Sequence, residues 1–283
     1  MILVTGHRGY IGSLLYNNLL DRGYDVIGID LKEGRDILHD LDSLEESDVK
    51  IVFHLAAFPS VTYSVENPSH ALMNNVLGTS RLLEWSEKRG VERFIFSSSS
   101  AVYGNDGDLG SPYALHKLMS EKECKLYADL YGLDTVCLRY FNVYSEGQPF
   151  RGGYSTVISA WMESLRGSSP LVLEGDGLQT RDFVHVDDVI DANLFAMRYN
   201  DNFGGETYDI ASGETINLQT IKKYIDSRYN TSWEYRPGRF GDIKHISPGS
   251  DKMKALGWKA KIPIKLGLEK CFGENSLIRK DID

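Results

Sequence analysis

Tyr113 and Lys117 stand four residues apart in the stretch Ser111-Pro112-Tyr113-Ala114-Leu115-His116-Lys117. On a helix, positions i and i+4 share a face, so an ammonium at Lys117 would favour the ionised form of the Tyr113 phenol. A phenol has a reference pKa near ~10 and becomes a usable base near neutrality only with such help. Pro112 suits the first turn of a helix and Ser111 its N-cap, which predicts a helix start with Tyr113 in its opening turn. Upstream, a strand-like run ends in four serines, Ser97 to Ser100. Tyr-x-x-x-Lys alone arises by chance on many helices, so the elements around the pair decide what it means.

The start of the chain is the first of these elements. Met1-Ile2-Leu3-Val4-Thr5 is a short apolar, β-branched run, followed by Gly6-His7-Arg8-Gly9-Tyr10-Ile11-Gly12 and a helix-like pattern through Leu14, Leu15, Leu19 and Leu20. Strand, glycine turn, helix is an arrangement in which the backbone can approach a pyrophosphate and the helix N-terminus offers N–H groups to it. The spacing is Gly-x-x-Gly-x-x-Gly rather than the commoner Gly-x-Gly-x-x-Gly. A second apolar run, 25 to 30, ends in Asp30, eighteen residues after Gly12. There a carboxylate accepts hydrogen bonds from an adenosine ribose and repels a 2'-phosphate, which favours NAD over NADP. The plainer alternative for Asp30 is a solvated strand end.

Further strands are read at 50 to 57, 94 to 98 and 133 to 140, with helices near 66 to 89 and 112 to 131. Alternation of this kind predicts an α/β fold with a doubly wound parallel sheet. The link 31 to 49 has room for at most a short helix. Beyond Asn142 the pattern loosens into loops around 145 to 155, a helix near 155 to 166 and mixed short segments. The expected organisation is a Rossmann domain over 1 to 142 and a smaller α/β lobe over 143 to 283. No internal repeat or low-complexity tract is evident.

A net charge of -9 and a pI near 5.3 leave no cationic footprint for nucleic acid, and no Lys/Arg block suggests a membrane surface. Cys124, Cys137 and Cys271 have neither metal-ligand spacing nor an even disulfide count, which suits a reducing compartment. With no charged leader and no apolar run near ~18 residues, the chain is expected to be soluble and cytoplasmic.

Ordered motifs carry a resemblance over nearly the whole chain. They are Thr5 to Gly12, His54-Leu55-Ala56-Ala57, Asn74-Asn75-Val76-Leu77-Gly78-Thr79, Ser97 to Gly104, Tyr113 to Lys117 and Leu138-Arg139-Tyr140-Phe141-Asn142-Val143-Tyr144, then Gly175 to Asp188, Arg239-Phe240-Gly241-Asp242 and Leu256-Gly257-Trp258. The set resembles the extended short-chain dehydrogenase/reductase superfamily, and within it the NAD-dependent nucleotide-sugar epimerase/dehydratase branch.

The resemblance implies that Gly6, Gly9, Tyr10, Ile11, Gly12 and Asp30 hold the pyrophosphate and adenosine of NAD, and that Asp36 and Ile37 contact adenine. Leu55, Ala56 and Ala57 would pass under the cofactor and Asn74 would lie on its far side, with Ser97 and Tyr140 also among its contacts. Lys117 would bridge the nicotinamide ribose and depress the pKa of Tyr113. Ser99, four residues before Tyr103, matches the catalytic hydroxyl. Asn142, Arg181 and Arg239 match contacts to a sugar-nucleotide diphosphate, a task that suits the guanidinium fork. His185, in Val-His-Val-Asp-Asp, is read as structural. The resemblance also implies that part of 184 to 204 rejoins the first domain and that the lobe over 143 to 283 binds substrate.

The implied reaction is proton removal from a sugar hydroxyl by Tyr113 while the adjacent carbon gives up hydride. A dehydratase of this branch would call for an Asp-Glu pair before Tyr103, and a decarboxylase for a Glu at the Ala101 position. Ser100 and Ala101 stand there instead. The remaining simple outcome is inversion at C4, most simply of a UDP-linked sugar, by a homodimer paired through the helices near 66 to 89 and 112 to 131. Alternatives are a ketosugar reductase or other nucleotide-sugar-modifying enzyme of the superfamily, and a non-catalytic dinucleotide sensor or scaffold. Departures from the pattern are the short 104 to 112 link, Pro59 after the third strand, Glu174 where relatives carry an aromatic, and Ile246 near a position tied to N-acetyl groups.

Overall fold

The computed structural model describes residues 1–44, 48–105, 107–150, 156–238 and 251–273. Arg239 and Ile246, two positions singled out in the sequence, lie outside the described residues. In chain order the elements are β1 (Ile2–Thr5), α1 (Tyr10–Asp21), β2 (Val26–Ile29), β3 (Ile51–His54), α2 (Val61–Glu66), α3 (Pro68–Leu72), α4 (Gly78–Lys88), β4 (Arg93–Ser99), α5 (Pro112–Tyr131) and β5 (Asp134–Tyr140). They continue with β6 (Asn142–Tyr144), α6 (Val157–Arg166), β7 (Leu171–Glu174), β8 (Thr180–His185), α7 (Val186–Arg198), β9 (Glu206–Ile210), β10 (Thr215–Asn217), α8 (Leu218–Asp226), β11 (Trp233–Arg236), α9 (Asp251–Ala255) and α10 (Ile264–Phe272). The chain divides into two compact units: Met1–Tyr140 with Ile190–Asp209, and Phe141–Val189 with Ile210–Asp283.

The first unit is a Rossmann-type sheet in the order β2-β1-β3-β4-β5-β9, and β1 to β5 pair in parallel. Strands covered on both faces read as continuous apolar runs rather than alternating ones, which is why Ile2, Leu3 and Val4 are all buried. Leu3, Ile29, Val52, Phe94 and Phe96 form one core with Leu82, Leu83 and Trp85 of α4 and Cys124 of α5. Each such side chain contributes about 1.5–3 kcal/mol on burial.

Among its described residues the 31 to 49 link holds two 3-10 turns, Leu31–Glu33 and Leu41–Leu44. The helix read at 66 to 89 is built in pieces. Pro68 opens α3, a π-helical turn spans Met73–Leu77, and α4 follows. At that turn the Asn75 carbonyl accepts from the hydroxyls of both Thr79 (2.7 Å) and Ser120 (3.1 Å). Side-chain donors of this kind insert into the helical ladder, and π turns concentrate at functional sites. The short helix α2 was not anticipated; Ser60 caps it by accepting from the Tyr63 N–H at 3.1 Å.

In the second unit β8 lies between β10, antiparallel, and β6, parallel, while β7 and β11 form a parallel pair. Its core gathers Tyr144, Trp161, Phe183, Ile221 and Phe272. Among the described residues no helix is long and apolar enough to cross a membrane.

Candidate active site

Ser111 caps α5 by accepting from the Ala114 N–H at 3.2 Å, and Pro112 occupies the first turn. This start buries Tyr113 to 7% exposure, and its backbone N–H donates to Ser64 Oγ at 3.1 Å. Burial pushes the phenol up to about 12, outweighing the Ser99 hydroxyl, which draws it down. Lys117, one turn on, is buried and donates through Nζ to the Ser97 carbonyl oxygen at 2.6 Å. Burial lowers it to about 8. The expected depression of the phenol by Lys117 is therefore not what the protein alone produces: the ammonium is anchored on Ser97, 6.0 Å from the centre of the Tyr113 ring, and the desolvation of Tyr113 dominates.

Of the four serines, Ser99 is the one whose hydroxyl acts on the Tyr113 phenol. Its neighbours in the run have other partners: Ser98 Oγ donates to Glu121 at 2.5 Å, and Ser97 Oγ pairs with the Tyr140 hydroxyl at 3.0 Å. Tyr140 is in turn bonded to Asn193, whose Nδ2 donates at 2.8 Å. Ser97 thus serves Lys117 through its main chain, while its side chain and that of Tyr140 hold β4 and β5 to α7.

At the same carboxyl end of the parallel sheet, two strands away, the glycine turn is tight for reasons visible in the backbone. Gly6 has φ +72°, and a Cβ there would run into Leu55 and Ala56; one on Gly12 would run into the Gly6 carbonyl oxygen. Helix α1 has Gly9 at its N-cap, with no side-chain cap and no acidic residue in its first turn. The helices starting at Val61, Pro112, Val157 and Leu218 are all capped by a Ser, Thr or Asn side chain. A twelve-residue helix whose first turn, Tyr10 to Gly12, lacks a side-chain acceptor suits an anionic pyrophosphate. Asp30 is fixed at the end of β2 by the N–H groups of Arg8 and Lys32, each at 2.9 Å. A carboxylate held there suits a ribose diol, so the residues present fit NAD.

The remaining predicted contacts are placed as follows. Asp36 accepts from the Leu38 N–H at 2.9 Å, and Ile37 is buried against the position of Gly78. Leu55, Ala56 and Ala57 leave the β3 ladder half-buried, with the Ala56 N–H on Thr5 Oγ1 at 3.2 Å. Asn74 turns its amide back to the His70 carbonyl at 2.9 Å. The asparagine that grips the β3 end is its neighbour: Asn75 accepts from the Phe58 N–H at 2.7 Å and donates to the Phe58 carbonyl at 3.1 Å. Asn74 and not Asn75 is the asparagine singled out in the sequence, and the helical phase of the π turn is what separates them.

His54 was read only as part of a strand. It is buried to 0% exposure, with Nδ1 at 2.8 Å from Thr5 Oγ1 and Nε2 at 2.9 Å from Thr79 Oγ1. Because Thr79 donates to the Asn75 carbonyl, it must accept from Nε2–H, and Thr5 then donates to Nδ1. This neutral tautomer agrees with a pKa lowered by burial, and further by the charge of Lys117, to about 3.

In the second unit, Asn142 Nδ2 donates to the Asp182 carbonyl at 2.9 Å, joining β6 to β8, and Arg181 is half-buried with its guanidinium on the Thr180 carbonyl at 2.9 Å. Asp182 is buried and gathers the Ser212 and Gly213 N–H groups, each at 2.8 Å. His185, at 1% side-chain exposure, lies between Glu146 (3.2 Å) and Asp187 (3.3 Å).

The model of the NAD dependent epimerase/dehydratase family matches residues 2–211. The UDP-glucose 4-epimerase of Mycolicibacterium smegmatis is 31% identical over 305 residues, covering 95% of this chain and 96% of that enzyme. The crystal structure of Thermotoga maritima UDP-glucose 4-epimerase with UDP-glucose superposes with a TM-score of 0.87 at 32% identity, covering 96% of each chain. Bacillus cereus UDP-glucuronic acid 4-epimerase, in complex with UDP-glucuronic acid and NAD, gives a TM-score of 0.86 at 29% identity over 98% of each chain. The chain belongs to the NAD dependent epimerase/dehydratase family.

Proposed function

We propose that this chain is an NAD-dependent 4-epimerase of a UDP-linked hexose, hexosamine or hexuronic acid. The observation that carries the reading is the buried Tyr113 phenol with the half-buried Ser99 acting on it, in a segment whose next residues, Ser100 and Ala101, hold no acid. Bound NAD supplies the reversible hydride acceptor. Gly6, Gly9 and the first turn of α1 receive its pyrophosphate, Asp30 its adenosine ribose, and Lys117 its nicotinamide ribose. Tyr113 removes the proton of the C4 hydroxyl and later returns it, and Ser99 hydrogen-bonds the same oxygen as it becomes a carbonyl. Without an acid at the Ser100 and Ala101 positions the chain has no group there to expel water or to assist loss of carboxylate, which leaves return of hydride to the opposite face of the sugar. Arg181, with Arg239 and Asn142, is assigned to the diphosphate, for which a guanidinium fork is suited.

Purified protein incubated with UDP-glucose, UDP-N-acetylglucosamine and UDP-glucuronate separately, with the products resolved chromatographically, tests the reading. Conversion of at least one to its C4 epimer with no net NADH is expected. Failure on all three, with NADPH consumed on ketosugars instead, would overturn it in favour of a reductase.

The enzyme is further read as a cytoplasmic homodimer. Its three cysteines are buried free thiols. Leu72, Met73 and Leu77 before α4, and Leu115, Met119 and Leu126 on α5, leave large apolar side chains 39–52% exposed. Exposed apolar side chains on neighbouring helices suit a partner of the same kind. Sedimentation equilibrium reporting a monomer at micromolar concentration would remove the dimer.

A further inference from the structure

We propose that Glu121 is a positioning residue of the reaction: together with Arg139 it clamps both ends of the segment that carries Ser99, and so sets the Ser99 hydroxyl and the Lys117 ammonium against Tyr113. The proposal rests on the epimerase reading above. Glu121 lies one helical turn beyond Lys117 on α5, with its side chain 2% exposed. Its Oε1 accepts from Ser98 Oγ at 2.5 Å and from Arg139 Nε at 2.8 Å, and its Oε2 accepts from an Arg139 terminal nitrogen at 2.6 Å. Ser98 and Arg139 are register partners on β4 and β5, so two adjacent strands deliver their donors to one carboxylate on the catalytic helix.

The residues flanking Ser98 are the two that matter. The Ser97 carbonyl holds Lys117, and the Ser99 hydroxyl is the side chain that draws the Tyr113 phenol down against its burial. Ser99 also caps the 3-10 turn Ser100–Tyr103, whose last residue is seized by the same ion pair. Arg139 donates to the Tyr103 hydroxyl at 3.0 Å and stacks 4.9 Å from its ring centre, and that hydroxyl donates to Asp209 at 2.7 Å. The Ser99 segment is therefore gripped at Ser98 and at Tyr103. A buried ion pair adds little net stability over an apolar substitute. What this one supplies is a fixed geometry, with the fork of Arg139 matched to the two oxygens of Glu121.

Glu121 also faces Lys117 electrostatically. The titratable groups around that ammonium are Tyr113, Glu121 and Cys124 from α5, Cys137 from β5 and His54 from β3, while β4 presents only the Ser97 carbonyl and the Phe96 ring. Against the burial that lowers Lys117, the carboxylate of Glu121 is the largest opposing influence. Neutralising it lets the ammonium lose its proton at lower pH.

Ser98→Ala deletes one hydrogen bond to Glu121 and leaves the ion pair whole; Glu121→Gln removes the charge and keeps the shape. Both are measured as holoenzymes for kcat, KM, thermal midpoint and the pH dependence of kcat on a UDP-sugar that the wild type turns over. For Ser98→Ala the expectation is a kcat lower by about ten- to a hundred-fold, the scale of small misplacements of reacting groups, with KM within about two-fold. For Glu121→Gln the alkaline limb of the kcat profile moves to lower pH. A Ser98→Ala enzyme with wild-type kcat overturns the proposal, whether or not Glu121→Gln folds, and so does a Glu121→Gln enzyme whose alkaline limb stays in place. A wild type that epimerises no UDP-sugar speaks instead against the reaction assigned above.

Discussion

The Lys117 ammonium and the Ser97 carbonyl oxygen are 2.6 Å apart, and this bond ties α5 to the end of the central strand β4. It also directs the cation to the strand rather than to the phenol beside it, and Tyr113 stands at about 12. Substrate hydroxyl and cofactor charge must complete what the protein begins, because a phenol at that pKa is protonated at neutral pH.

From this pair, Tyr113→Phe is expected to lower kcat by about 10²–10⁴-fold, the range for a positioned acid-base group, with the fold intact. A second consequence appears in alkali. The folded phenol is raised above its ordinary value of 10.0 to about 12, so its stabilising contribution is complete below pH 10 and is lost as pH rises toward 12. Thermal midpoints across that window should fall less steeply for Tyr113→Phe than for the wild type. A variant with full turnover would remove Tyr113 from the mechanism.

His54 gives the opposite dependence. Its folded pKa is lowered from 6.5 to about 3, so its contribution is present above pH 6.5 and is lost as pH falls toward 3, where the unfolded chain takes up the proton first. His54→Gln should cost about 1–3 kcal/mol at pH 7 by disturbing the Thr5 and Thr79 bonds. It should also flatten the acid side of the stability profile. Melting curves of both proteins between pH 7 and 4 decide this, and parallel acid limbs would show that His54 does not titrate on unfolding.

How far such residues could be read from the sequence depends on the range of the interaction. Ser111, Pro112, Tyr113 and Lys117 are local, and cap, first turn and i+4 spacing follow from the chain itself. Leu3, Val52 and Phe94 announced their strands because buried parallel strands are apolar throughout. Asn75 and Glu121 were not legible in that way. Asn75 differs from Asn74 by one helical step, and the π turn that fixes the step is made by Thr79 and Ser120, the latter 45 residues away. Glu121 takes its meaning from Ser98 and Arg139, on strands whose pairing no local pattern reveals. Strand β9 escaped for the same reason: Glu206-Thr207-Tyr208-Asp209-Ile210 is short and half polar, and it becomes a strand only beside β5.

Arg93 closes the sheet on its own α7 segment. Its Nε meets Asp134 at 2.7 Å, and its terminal nitrogens meet the carbonyls of Ala196 (2.8 Å), Tyr199 (2.6 Å) and Asp201 (2.9 Å). With side-chain exposures of 12% and 8%, Arg93 and Asp134 form a largely buried pair. Arg93→Ala would strand the carboxylate and the helix-end carbonyls together, at a cost of about 3–5 kcal/mol. Urea denaturation measures it. Arg93→Lys should recover only part, since an ammonium cannot reach four acceptors in one plane, and equal midpoints for Arg93→Ala and wild type would contradict the assignment.

Gly12 separates two roles that a glycine can have in this chain. It lies in α1 at a backbone conformation any residue adopts, but a Cβ there would collide with the Gly6 carbonyl oxygen and approach His7 Cα. Gly23 has φ +80° with nothing within 4 Å of its would-be Cβ. Both Gly12→Ala and Gly23→Ala should lower stability, the first by overpacking, about 1–3 kcal/mol, the second by left-handed strain, about 1–2 kcal/mol. Only Gly12→Ala moves the Gly6 turn off the end of α1, where the pyrophosphate is assigned. NAD released on denaturing each purified protein should therefore be near wild-type stoichiometry for Gly23→Ala and strongly depleted for Gly12→Ala. If Gly12→Ala carries a full complement of NAD, the turn is not the cradle, and the tight packing of Gly12 on Gly6 serves the fold alone.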